Sequence, residues 1–187
     1  MGGKPSQLRE LKLQQIILFF LERINNHHLG RTKLMKLLYF VDCDHYELHE
    51  RSITGAAYRR FPHGPYPQDA DKIIETMKRV GQVREVRVAH NQYAQNRLIT
   101  LNARFDPSLF SGEELQTLER VAVRWADATA SQIEAATTHN EAPWAATENG
   151  KIIDYEMAAY RQPIGFEPLD KELSTSRRFA KYVASLA

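Results

Sequence analysis

"TKLMKLLYFVDCDHYELH", residues 32–49, carries the pattern on which the fold turns. Leu34, Leu37, Leu38, Val41, His45 and Leu48 recur every three or four residues, the period of one helix face. Thr32 stands where a hydroxyl caps the first turn. Toward the N-terminus, Leu13, Ile16, Ile17, Phe20 and Ile24 form a second apolar face, and "NNHHLG" (25–30) separates the two helices. Toward the C-terminus, "RRFPHGPYP" (59–67) reads as a stiff loop, with proline fixing φ and Gly64 making the sharp turn. Pro67 then suits the first position of a third helix carrying Ile73, Ile74, Met77 and Val80, closed by Gly81 in the left-handed region.

Beyond that helix, "VREVRV" (83–88) and "RLITL" (97–101) flank a polar stretch and predict a hairpin. Ser111 and Glu114 have capping-box spacing before a helix that lines up Leu115, Leu118, Ala122 and Trp125. Thr129 and Gln132 repeat that spacing, and "DYEMAAY" (154–160) suggests a last short helix. The expected fold class is therefore mostly α: a compact helical domain with one short antiparallel β-hairpin. The domain is expected to fill residues 1–161, with "QPIGFEP" (162–168) opening a linker and a tail or docking helix over 162–187. Leu173, Phe179, Val183 and Leu186 supply that tail's apolar positions.

Composition narrows the function classes. Apolar residues are 43% and charged residues 26% of 187, the ordinary globular mixture. A formal net charge of +2 gives no bulk attraction to nucleic acid. One cysteine, Cys43, makes no internal disulfide and fits a reducing compartment. With no apolar run of membrane length and a polar start, "MGGKPSQLRELK", a cytoplasmic soluble protein is the expectation.

Candidate chemistry is sparse. Asp42, His45 and His49 fall at helical spacing, but the zinc-protease pattern needs a glutamate directly after the first histidine, where this chain has Tyr46. Glu47 comes one residue late, about 100° around the helix. Cys43 has no cationic neighbour in sequence to lower its pKa. No phosphate loop, dinucleotide motif or paired carboxylate stands out, so neither an enzyme, a metal nor a cofactor is expected. Three helices and a hairpin also match the order of a winged helix, yet Asp69, Asp71 and Glu75 on the would-be reading helix repel phosphate. Nucleic acid is the alternative partner and the weaker one.

The residues of 58–67 allow two readings: a corner whose aromatics pack inward while its prolines position the third helix, or a preorganised protein-binding surface. Tyr58, Phe61 and Tyr66 bring apolar area, and Arg59, Arg60 and His63 bring polar tips around Gly64 and Pro65. Aromatics and arginine are what binding hot spots use. The same segment carries a resemblance. Lys33, Leu34, Lys36, Leu37, Leu38 and Tyr39, followed by His63, Gly64 and Pro65, resemble the signature of the Panacea-domain (SocA-like, phage-associated) antitoxins. Thr138, His139, Pro143 and Trp144 are similar to the family's second block, and the likeness spans about residues 10 to 161. Pro67 lies closer to the turn than in the usual pattern.

The resemblance implies a type II antitoxin that binds and neutralises a protein toxin encoded by an adjacent gene. Some family members escort their toxin to a protease system. It also implies that the motif residues build scaffold, with Pro143 and Trp144 as a core plug. Partner contact is expected at 58–66, and the tail is expected to add to it.

Overall fold

The computed structural model describes residues 5–24, 26–90, 93–138 and 141–161. At its centre is α2 (Arg31–His49), which is buried without interruption from Lys33 to His45. An apolar stripe facing one neighbour was the expectation; here elements pack on every side. Helix α1 (Pro5–Arg23), α4 (Gly112–Trp125), α5 (Ala130–Thr138), both hairpins and a 3₁₀ segment (Tyr155–Tyr160) all contact α2. The charged residues of α2 and His45 survive burial because each finds a partner. Lys33 donates to the carbonyls of Ala126 (2.8 Å) and Ala128 (2.7 Å), and Lys36 to that of Pro65 (2.9 Å). Asp42 accepts from the backbone N–H (2.7 Å) and hydroxyl of Thr54, and His45 Nδ1 lies 3.1 Å from Thr117 Oγ1.

The ends of α2 differ from the sequence reading. Gly30, not Thr32, occupies the N-cap position, and no side chain caps the first turn. A Cβ on Gly30 would sit 2.8 Å from Gln95 Oε1, so a bare glycine lets the strand approach. Leu48 is 44% exposed and lies outside the core, because the chain turns away at Glu50 in the left-handed conformation (φ 55°).

The other stripes fall as expected. Leu13, Ile16, Ile17, Phe20 and Ile24 are all buried, as are Ile73, Ile74 and Met77 of α3 (Ala70–Arg79), although Val80 is exposed. Gly81 adopts φ 73°. Ser111 and Glu114 exchange both capping-box bonds, and Thr129 and Gln132 do the same. Helix α6 (Ala142–Ala146) follows α5, and the last stretch of "DYEMAAY" is the 3₁₀ segment. The tail, residues 162–187, lies outside the described residues.

Two antiparallel hairpins complete the mostly helical fold. The expected one pairs β3 (Val83–His90) with β4 (Tyr93–Thr100). The other is the stretch read as a loop: β1 (Tyr58–Phe61) pairs with β2 (Gly64–Pro67). Two prolines in a four-residue strand argue against a strand on propensity. Register removes the objection. Gln68 N–H donates to Ala57 C=O, so bonded pairs alternate from there and residues 65 and 67 face outward. Neither proline costs the ladder a donor. Pro67 therefore ends a strand rather than starting α3, which begins at Ala70.

Candidate functional site, the Tyr58–Pro67 hairpin

The first hairpin is mounted on α2 by side chains from both of its strands. Tyr58, 1% exposed, brings its hydroxyl within 2.8 Å of Leu38 C=O and of Asp42 Oδ2. Burial pushes the Asp42 carboxyl up, against the hydrogen bonds from Thr54 and Tyr58 that favour the carboxylate. Tyr39 packs edge-on against Tyr58, ring centroids 5.4 Å apart. On the other strand Lys36 reaches the Pro65 carbonyl, and burial lowers its ammonium pKa to about 8. Lys33 is lowered to about 8 in the same way where it caps the carbonyl end of α4.

Gly64 is the tightest point. Its φ is +97°, and a Cβ there would meet Thr137 Oγ1 at 2.7 Å and Lys36 Nζ at 3.1 Å. Only glycine combines that backbone with that contact.

The outer edges of this hairpin are closed. Arg60 N–H donates to Lys151 C=O, Gly150 N–H to Arg60 C=O, and Ile153 N–H to Tyr58 C=O, so residues 150–153 cover β1. On β2 the outward positions are the two prolines, and Lys36 holds the Pro65 carbonyl. What remains open is the tip. Phe61 is 41% exposed, Pro62 and His63 are exposed, and His63 Nδ1 sits 2.9 Å from Glu134 Oε1. Trp144 supports the tip from α6: its indole N–H donates to Phe61 C=O at 2.9 Å. The Arg60 guanidinium stacks 4.1 Å above its ring, an arrangement that holds the cation flat against an aromatic face.

The residues singled out from the sequence thus divide in two. Tyr58, Gly64 and Pro65 are buried, as are Lys33, Lys36, Leu37 and Tyr39, so they build the mount. Arg59 is half-buried and donates to Gly150 C=O (2.8 Å), and Tyr66 donates to Asp71 (2.6 Å). Arg60 is half-buried over Trp144, and Phe61 and His63 are exposed. Pro143 is buried, as a core plug requires, whereas Trp144 is half-buried and serves the hairpin. Thr138 donates to Glu134 C=O (3.0 Å), and His139 lies outside the described residues.

Asp42 and His45 do not converge. Asp42 is committed to Thr54 and Tyr58, His45 to Thr117, and no metal-like cluster of histidine, cysteine and carboxylate occurs among the described residues. Cys43 is buried, which drives its thiol pKa up and away from reactivity.

Sequence reading missed Thr137, which packs on Gly64, and a buried ion cluster near the C-terminal end of α2. There Arg161 donates to Asp44 (2.7 Å) and to Glu141, and Arg124 joins Asp44 at 3.1 Å. These partners lie 20 to 117 residues apart, with no local spacing to reveal them.

With that geometry in place, comparison with known families bears directly on the hairpin. The family described as "Antitoxin SocA-like, Panacea domain" matches residues 34–145, more than half of the chain. The chain belongs to this family. The match takes in α2 from Leu34, both hairpins and α6 to Ala145, and so covers the mount apart from Lys33. Comparisons with curated proteins and with solved structures return no match. No helix among the described residues is long and apolar enough to cross a membrane.

Proposed function

We propose that the protein is the antitoxin of a type II pair, neutralising a protein toxin by direct contact, with the β1–β2 tip as the contact surface. Family membership supports the role. The observation that supports the place is the tip itself: Phe61, Pro62 and His63 exposed beside Trp144 and the stacked Arg60. Such a surface combines rigid aromatic area with a planar cation, and its scaffold leaves little conformational entropy to lose on binding. Binding, not catalysis, is the activity this surface fits.

The domain proper is residues 1–161 and the extension 162–187. Arg161 belongs to the domain, because it is 5% exposed and paired with two carboxylates.

The test is co-expression with the product of the neighbouring gene. The intact chain should silence its toxicity and co-purify with it as a stable complex. The double variant Phe61→Ala, His63→Ala should keep the native melting temperature and weaken the complex by about 2 kcal/mol or more, roughly thirtyfold in Kd. A double variant that binds and silences as well as the parent removes the tip from the interface. Persistence of the inactive complex in cells lacking cytosolic proteases separates direct neutralisation from escort to a protease.

A further inference from the structure

The second hairpin is built unlike the first, and the difference marks another surface. Leu101 N–H donates to Gln82 C=O, and the register pairs Val83 with Thr100. Bonded pairs therefore alternate from 82 and 101, so Glu85, Arg87 and Ala89 turn their backbone N–H and C=O groups away from β4. Among the described residues no backbone group meets these outward groups. No proline interrupts β3, and among the described residues no segment lies along it as 150–153 lies along β1.

A groove of about 570 Å³ runs beside this strand, with Val83, Val86 and Leu101 as its apolar lining and Lys78, Arg84 and Arg87 as its cations. Leu101 is 44% exposed. Arg84 and Arg87 are exposed and form no ion pair among the described residues, and successive strand positions set them on opposite faces of β3.

We propose that the outer edge of β3 is a strand-addition site for an extended, acidic segment of a partner protein. The backbone supplies the hydrogen bonds, Val86 and Leu101 the apolar contact, and Arg84 and Arg87 a cation on each face of the incoming strand. Charge argues against a second copy as occupant. Antiparallel pairing of β3 with itself sets arginine against arginine when centred on Arg84 or Arg87, and centred on Val86 it sets Arg87 against Glu85, a carboxylate already held by Arg31 (3.0 Å) and Lys78 (3.5 Å). The same arginines blunt self-association of an otherwise open edge. This inference does not depend on the tip of the first hairpin.

Ala89→Pro is the discriminating variant. It removes an outward N–H, leaves the β3–β4 ladder intact, and keeps both arginines. A library of twelve-residue peptides displayed on phage is selected against the full chain and counter-screened on the Ala89→Pro chain, whose fold is checked by circular dichroism and melting. Enriched peptides should alternate β-branched and acidic residues and lose at least tenfold in affinity for Ala89→Pro. The charge-reversed chain Arg84→Glu, Arg87→Glu should select lysine-rich peptides instead, a gain that a merely misfolded variant cannot show. Three results overturn the proposal. One is an enriched pool indifferent to Ala89→Pro, or no enrichment at all. Another is duplex DNA displacing the peptides with equal strength from parent and Ala89→Pro, which makes the arginines a phosphate contact. The last is concentration-dependent dimerisation of the parent that Ala89→Pro abolishes, which makes the edge a self-interface.

Discussion

The two hairpins have the same topology and opposite edges. In β1–β2 the outward groups of Arg60 and the outward carbonyls of Tyr58 and Pro65 are answered: residues 150–153 line one strand, and two prolines with Lys36 finish the other. In β3–β4 the outward groups of Glu85, Arg87 and Ala89 meet nothing among the described residues. A hairpin of four residues a side is marginal alone in water, so the first persists because α2, α6 and 150–153 hold it. The second has eight residues a side and more ladder of its own. Short and clamped, one hairpin makes a rigid platform that leaves its tip exposed. Long and open, the other offers its edge.

The contrast has a common support, and removing it should produce the largest effect. Helix α2 touches both β2 and β4, and Leu37 is fully buried in it. Leu37→Ala should cost about 2–5 kcal/mol, a large part of a typical total of about 5–15. Both hairpins should melt in one transition in a urea titration followed by amide NMR. If the second hairpin outlasts the first in that variant, the two do not share the wall that the packing gives them.

Gly64→Ala comes next. A left-handed backbone at φ +97° and a Cβ at 2.7 Å from Thr137 act together, for about 2–4 kcal/mol. Gly81→Ala is its control beside the second hairpin: φ is +73° with nothing within 4 Å, so backbone strain of about 1 kcal/mol is the whole effect. Equal shifts in melting temperature for the two alanines would show that the Thr137 contact does not matter.

Much of this was readable beforehand, and the reasons are local. The helices follow apolar residues at fixed spacing, and the capping boxes at Ser111 and Thr129 are three-residue signals. The β3–β4 hairpin shows as two β-rich runs. The β1–β2 hairpin did not show, because propensity scores Pro65 and Pro67 as strand breakers. Whether a proline breaks a strand depends on which way its missing N–H would point, and that is decided by register across the turn. The continuous burial of α2 was also hidden. Lys33, Lys36, Asp42 and Asp44 are charged, and nothing local shows them buried, because their partners lie up to 117 residues away. At the candidate site, sequence marked the segment but not its division into buried mount and exposed tip. Trp144 looked like core because proline–tryptophan usually is, and its hydrogen bond to Phe61 is long-range.

Lys36 gives a pH test of the clamp. Burial holds its folded pKa at about 8, below the ordinary 10.5. Between those values the unfolded chain carries a proton that the folded chain has released, so this lysine adds stability as pH rises from 8 to 10.5. The neutral amine still donates to the Pro65 carbonyl. Lys36→Met lacks the contribution, so the parent should gain on the variant across that window when the two are compared in urea melts. A difference that stays flat from pH 8 to 10.5, or narrows, would mean that Lys36 is not desolvated where it meets Pro65.

The smallest energetic effect belongs to the open edge, and it is the sharpest comparison. Arg84 and Arg87 are exposed and unpaired among the described residues. Replacing both with serine should shift stability by no more than about 0.5 kcal/mol. Hydrogen exchange then reads the edges directly. The Arg60 amide, bonded to Lys151, should exchange only when the 150–153 segment lifts, whereas the Arg87 amide should exchange near the rate of an unprotected strand residue. The neighbouring amides of Val86 and Val88 point into the ladder and should be slow, giving an alternation along β3 that solvent exposure of the whole hairpin does not produce. Uniform protection along β3 in the free protein would mean that its edge is already covered, and the contrast between the hairpins would vanish.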